Sequence, residues 1–535
     1  MEVRQRAHQI EFKLKIHYIK MRKLTTLLLL LCLPWMLAAK DYYVATNGKD
    51  TNPGSLGAPF ATLRKAQSVV QAGDIVYIRG GVYKPKESEI MGIQGNLYAC
   101  VFLMDKSGNS EQERICYYGY PGERPVFDLS EIKPAGRRVS VFYVSGSYLH
   151  FRNFEIMGTQ VVPATGNTQS ECLSNRGGNY NIYENLSMHD GMGIGFYLVK
   201  GSHNLVLNCD AYNNYDPVSG NGNGGNVDGF GGHPDGAGEG NVFRGCRAWW
   251  NSDDGFDLIS ADQAVVIDSC WAFYNGYRPD TFKSAGDGNG MKAGGYGMGA
   301  DPQAPDPIPM HEVTHCIAYR NKASGFYANH HLGGIRWHNN SSYNNRWNYN
   351  MVNRQSAAEA VDVAGYGHIL RNNLSFQPRE NPGHIVNIDP ATCRIRNNSF
   401  LPTEMELTET DFVSLDFEQL KAPRKADGSL PDIAFLKPAE NSKLYEAQIG
   451  YTFEDINEDD TILTDDNWLQ EAAIRVNGDI ATIEGPGAEN FSTFYVNGTK
   501  VKINKVQIDL SGCSGTLELK ATTTLGGIIK LKINR

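Results

Sequence analysis

The chain has 535 residues, 57 of them glycine, and a formal net charge of −9. That length supports a large core and more than one folded unit, while the acidic balance excludes the basic face expected of a general nucleic-acid binder. Short alternating stretches and turn residues outnumber long amphipathic patterns, so the chain reads as all-β.

Residues 21–39 open on Met-Arg-Lys, run through apolar residues from Leu27 to Leu37 and end on Ala38 and Ala39. A basic start, a short apolar core and a small-residue end describe a secretory signal, so a secreted, periplasmic or cell-surface location is expected. Met21 is an alternative start that would leave 1–20 as an extension. The run is too short for a comfortable membrane span. Residues 41–46 read as a strand, and the stretch after Pro59 as a short helix with Leu63, Ala66, Val69 and Val70 on one face. A helix of that kind suits the open end of a solenoid, which otherwise exposes core and strand edge.

The middle of the chain repeats. Seven-residue words at 184–190, 208–214, 245–251, 269–275, 315–321, 339–345 and 372–378 alternate apolar and polar residues. Their second positions step by 24, 37, 24, 46, 24 and 33 residues. A base period of 24 with occasional insertions is a solenoid signature. Cys209, Cys246, Cys270 and Cys316 then share one column as a buried ladder of free thiols, and the closing Asp190, Asn214, Asn251, Asn275, Asn321 and Asn345 form a second ladder at a turn. Two turns carry extra Gly-, Asn- and Asp-rich loops, 215–227 and 276–287. Residues 401–444 are irregular and expected to wrap the end or side of the solenoid. Strand-like patterns near 473–476, 494–496, 506–510, 515–521 and 528–533 mark a small separate β domain. The expected organisation is 1–39 signal region, 40–445 solenoid and 450–535 C-terminal domain.

The two loops flank the turn that carries Asp253, Asp254 and Asp257. The repeat register puts Asp228 beside Asp254, and Asp257 beside Lys292, each one strand step of ~4.8 Å apart. Four close carboxylates repel unless protonated or bound to a cation. Calcium suits such a set because it takes several carboxylate oxygens in irregular geometry. Lys292 beside a dication would lose part of its affinity for the proton and become a usable base.

The stretch from Asn226-Val227-Asp228-Gly229-Phe230 through Trp250-Asn251-Ser252-Asp253-Asp254-Gly255-Phe256-Asp257 to Gly288-Asn289-Gly290-Met291-Lys292-Ala293-Gly294-Gly295 resembles polysaccharide lyase family 9. The likeness runs from about Asp41 to about Leu444 and leaves the C-terminal domain uncovered. It implies a right-handed parallel β-helix, calcium held by Asp228, Asp253, Asp254 and Asp257, and Lys292 as the base of a β-elimination on an acidic plant cell-wall polysaccharide. A calcium dication would also let an acidic protein hold an acidic polymer. His233, Arg278, Lys283, His330, His331 and Arg336 are candidates for contacts with sugars. A monomer without transmembrane segments or nucleic-acid partners is expected.

Two rivals stay open on the residues alone: a β-helix glycoside hydrolase using two of the carboxylates as acid and base, and a non-catalytic glycan-binding helix. Within the pectic class, few cations and many aromatics near the cluster favour the rhamnogalacturonan-I backbone over homogalacturonan, because its alternate residues are neutral.

Overall fold

A computed structural model describes residues 39–453, except 164–167, 237 and 297–303, and beyond them 473–477, 480–484, 491–497, 499–501, 507–523 and 528–534. The expected signal region, apart from its last residue, lies outside the described residues. Among them, no helix is long and apolar enough to cross a membrane.

Three long sheets of 12, 10 and 11 strands form the body. The chain visits them in turn: Ile182–Glu184 in the first sheet, Ser187–His189 in the second and Ile194–Lys200 in the third, before Leu205–Leu207 returns to the first. Each strand therefore pairs in parallel with the strand one full turn later, as in Ile182↔Leu205 and Ser187↔Asp210. This is a parallel β-helix. Its one antiparallel pairing in these sheets joins Gly92–Gln94 to Tyr98–Met104 at the start of the third.

Register is fixed by a left-handed residue at the corner between the first and second sheets. Asn185, Asn208, Gly245, Ser269, His315, Asn339 and Asn372 all have φ between 51° and 64° there. Asn and Gly tolerate that conformation better than most residues. This column corrects one expectation. The first word starts at Asn185, not Glu184, because Ser187 pairs with Asp210, a step of 23. Leu186, rather than Asn185, thus precedes Cys209 in the thiol column, and Asp190 aligns with Asn213.

The other words stand as read. Cys209, Cys246, Cys270 and Cys316 are buried free thiols, and the Cys246 and Cys270 N–H groups meet the next sulfur at 3.3 and 3.4 Å. Asn340, Asn373 and Asn398 continue the column, each side-chain oxygen accepting from the backbone of the previous turn. Asn214, Asn251, Asn275, Asn321 and Asn345 form the second ladder, amide to amide at 3.0–3.2 Å. Gly191 fills its first place and donates its N–H to Asn214. A third ladder, Asn181–Asn204–Asn241, was not anticipated. Such ladders satisfy buried backbone donors that the bends leave without strand partners.

Large apolar side chains stack inside, as with Phe230 on Phe256 at 4.9 Å. The helix Leu63–Val69 buries Leu63 and Ala66 against this core. The irregular segment after Leu401 wraps the side of the helix, one of the two placements expected. Residues 401–451 lie along the outer face of the second sheet, where Phe417 stacks on Tyr319 and Arg424 reaches Asp210. In the C-terminal region, sheets of three and four strands enclose their own cluster of Ile474, Ile483, Phe494, Leu517 and Leu519. They include Ile480–Glu484 and Thr499–Val501, two strands that the sequence pattern had not suggested.

Candidate active site: carboxylates around one buried lysine

The site sits on the third sheet, where loops enter on successive turns. Pairing of Phe230 with Phe256 and of Gly231 with Asp257 sets Asp228 beside Asp254. Pairing of Asp257 with Lys292 brings the lysine in from the next turn. The apolar residues of these strands, Phe230, Phe256 and Met291, fill the core. Alternation then sends Gly231, Asp257 and Lys292 to the opposite face. Neighbouring turns approach closely before each phenylalanine. A Cβ on Gly255 would lie 2.6 Å from the Gly290 carbonyl oxygen and 2.9 Å from Ala272 Cβ, so only glycine fits.

Asp228, Asp254 and Asp257 present oxygens that all lie within 4.8 Å of one another, and Asp253, Asp254 and Asp287 form a second such trio. Asp254 belongs to both. The four expected carboxylates therefore converge, with Asp253 leaning toward the loop residue Asp287. Both long loops reach over Asp253: Asn226 and Asp287 each donate a backbone N–H to its two oxygens at 2.5 Å. Asn289 holds one oxygen of Asp254 through its backbone N–H at 2.6 Å and its side-chain amide at 2.9 Å. The other oxygen of Asp254 has no hydrogen bond but lies 3.1 Å from Lys292 Nζ. Lys292 Nζ also donates to Asp257 Oδ2 at 3.0 Å.

The charges do not balance. Burial, with neighbouring carboxylates adding to it, pushes Asp228 well above the usual carboxylate range. Burial also raises Asp253 and lifts Asp254 to about 7, although Lys292 pulls both down. Burial opposes the Lys292 ammonium, but Asp257, Asp254, Asp228 and Asp253 outweigh it and hold the amine protonated. Without a dication, then, the amine is already protonated and has no lone pair with which to accept a proton, and the expected lowering of its proton affinity depends on neutralising these carboxylates. A hard cation fits the donor set: oxygen ligands only, and an excess of buried negative charge that the single Lys292 ammonium does not offset.

The sugar-contact candidates divide. His233 lies beside the cluster, with Nε2 3.2 Å from the Asp257 carbonyl oxygen and Nδ1 3.3 Å from the Tyr197 hydroxyl. His330 is buried one turn beyond Lys292 and pairs with Asp362 at 3.1 Å. Arg278 and Lys283 are exposed on the 276–287 loop. His331 serves the scaffold, with one ring nitrogen taking the Gly295 N–H and the other facing the Pro309 carbonyl. Arg336 belongs to the first sheet, on a different face, where its strand pairs it with Glu312. Sequence reading missed Asp287, Asn289 and a row of tyrosines. Tyr143, Tyr197 and Tyr327 occupy the same outward column as Asp257 and Lys292. Arg176 lies over the Tyr98 ring at 4.3 Å and is paired with the buried Glu171, so its charge is spent within the protein.

Residues 42–399 match a family model described as "Pel9A-like, right handed beta helix region". Residues 389–529 match one described as "Rhamnogalacturonan lyase-like, C-terminal", so the last domain also has a family likeness. Pectate lyase L of Dickeya chrysanthemi is 35% identical over 76% of this chain and 85% of its own length. Pectate lyase PEL9 of Emericella nidulans is 29% identical over 77% of this chain and 95% of its own. Among solved structures, a rhamnogalacturonan lyase is 50% identical with a TM-score of 0.74, covering 77% of this chain and all of that one. Pectate lyase Pel9A is 33% identical with a TM-score of 0.60, covering 76% and 90%.

Proposed function

The chain belongs to the Pel9A-like right-handed β-helix family, and from that premise we propose that it is a calcium-dependent lyase of pectic polysaccharides. The observation that carries this reading is the burial of one lysine among several carboxylates, in a register that joins three successive turns. A hydrolase would need two carboxylates at separate tasks, and a binding scaffold would have no use for a buried amine there.

Asp228, Asp253, Asp254 and Asp257 are the residues that would hold calcium. When bound, calcium would supply positive charge that offsets a uronate carboxylate and the negative charge developing at the adjacent C5. The remaining work belongs to side chains of this protein. Lys292 takes the C5 proton of a galacturonate linked through O4. Asp257 and Asp254 aim its amine from 3.0 and 3.1 Å. Loss of O4 leaves a 4,5-unsaturated uronide. The two loops that clamp Asp253 wall off one side of the cluster and limit water there.

Within the pectic class, the rhamnogalacturonan-I backbone is the favoured substrate. The outward column flanking the lysine offers tyrosines rather than free cations, which suits a polymer with a neutral sugar at every other place. The greater identity with a rhamnogalacturonan lyase than with the pectate lyases points the same way. Homogalacturonan remains the second reading because of the relatives named pectate lyase. Incubation with both polymers tests both readings. Ultraviolet absorbance of an unsaturated uronide should rise, stop on chelation with EDTA, return with added calcium, and rise faster on rhamnogalacturonan-I. New reducing ends without that absorbance would mean hydrolysis and end the proposal.

A further inference from the structure

An elimination moves two protons, and the cluster described so far accounts for one. The leaving O4, bonded to the carbon next to the one that loses a proton, must also receive one. We propose that Tyr327 supplies it, as the acid partner of Lys292; this rests on the lyase reading above.

Tyr327 pairs with Lys292 across the next strand step, while its neighbour Phe326 pairs with Met291 and is buried in the core. Alternation therefore places the Tyr327 ring on the same face as the lysine, about one strand spacing of ~4.8 Å farther along. The ring is half-buried and lies edge-on to His330 at 6.1 Å, and His330 is itself tied to Asp362. Its hydroxyl has no hydrogen-bond partner among the described residues. The other side of the lysine offers nothing comparable. Asp257 is committed to the amine, Gly231 has no side chain, and the Tyr197 hydroxyl is engaged with His233. Burial pushes the Tyr327 phenol up to about 12, so it keeps its proton at neutral pH and can still yield it to the more basic alkoxide that develops on O4.

The protons balance within the pair. The C5–H bond breaks, its proton goes to Lys292 Nζ, and its electrons form the C4–C5 double bond. The C4–O4 bond breaks with its electrons on O4, which takes the Tyr327 hydroxyl proton. Proton transfer from the Lys292 ammonium to the Tyr327 phenolate then restores both residues.

Tyr327→Phe tests this on the full chain with calcium, because it removes only a hydroxyl without partners and leaves the ring in place. Two substrates are needed: the pectic polymer, and a galacturonide carrying 4-nitrophenoxide at C4, a leaving group that departs without protonation. On the polymer the variant should lose ~10²–10³-fold in kcat, with its thermal midpoint and calcium titration unchanged. On the nitrophenyl substrate it should stay within about threefold of wild type. Lys292→Ala should be inactive on both. Wild-type rates for Tyr327→Phe on the polymer, or an equal loss on both substrates, would overturn the assignment while leaving the lyase reading intact. Failure of the wild-type chain to eliminate either substrate would bring down the lyase reading itself, and this one with it.

Discussion

Two buried charge clusters lie on different sheets of the same helix, and they are built oppositely. On the second sheet, Asp210 is gripped by Arg247 at 2.8 Å through both oxygens and by Arg424 at 2.7 and 3.2 Å. Spare guanidinium N–H groups go to the carbonyls of Leu420, Ala422, Cys209, Gly245 and Gly428. Despite burial, the two arginines hold the Asp210 carboxyl below its ordinary range. On the third sheet, three to five carboxylates share one ammonium, and Asp228, Asp253 and Asp254 are pushed upward. Both clusters carry the desolvation cost of buried charge. Only the first offsets that cost from within the protein. The second leaves negative charge for something else to neutralise, and that asymmetry separates a clamp from a working site.

The comparison breaks if the clusters exchange roles on mutation. The largest effect is expected for Lys292→Ala, which should lower turnover by ~10³-fold or more while the protein stays folded in calcium. Unsaturated-product absorbance and circular dichroism read the two properties separately. An active Lys292→Ala protein would reduce the acidic cluster to a metal-dependent strut. Arg424→Ala should act the other way. It strips Asp210 of one partner and loosens the 401–451 segment, at a cost of ~3–5 kcal/mol in stability. Urea unfolding in saturating calcium measures that loss, with activity per folded molecule kept. A kinetic defect without a stability defect would put Arg424 in the wrong class.

Most of the solenoid was legible in the sequence because stacking leaves a period. Cysteines and asparagines recur since each ladder position needs the same small or hydrogen-bonding side chain on every turn. The one slip, at residues 184–190, arose where the thiol gives way to Leu186 and the amide to Gly191, so the ladders carried no marker. The left-handed Asn185 would have given the register. The aspartates and Lys292 were legible for the same reason, since a shared column is a spacing. Asp287, Asn289 and the tyrosines were not. Asp287 lies in one of the two long insertions, outside the repeat register, and an outward tyrosine looks in sequence like any alternating strand residue. Arg336 follows His330 and His331 closely in the chain but lies on the first sheet, and the sequence alone does not mark that change of sheet. The covering role of 401–451 depends on side-chain contacts far apart in the chain, such as Arg424 with Asp210, which no local pattern records.

The smallest expected effect is also the sharpest on the comparison, because the two clusters should respond to pH with opposite sign. Asp210 has its folded pKa below the ordinary 3.8. It adds stability at all pH above that range, and loses it only as acid drives the pH down through the depressed value. Asp254 has its folded pKa raised to about 7. Its ionised form burdens the metal-free fold above pH ~7, and that burden is relieved as pH falls from there toward ~4, where the unfolded chain also protonates. Lys292 does not confuse the window, since its raised pKa keeps it charged throughout. Buried histidines do, because His331 and His338 sit near 4 and 3 and weaken the fold as pH drops. Asp254→Asn removes that interference, as the histidines act equally in both proteins. In EDTA, the thermal midpoint of wild type relative to Asp254→Asn should climb by a few degrees from pH 8 to pH 5. In saturating calcium the trend should reverse, because protons then compete with the metal for the same oxygens. A difference that stays flat in EDTA would mean that the acidic cluster is internally balanced after all, and no more poised for a ligand than Asp210.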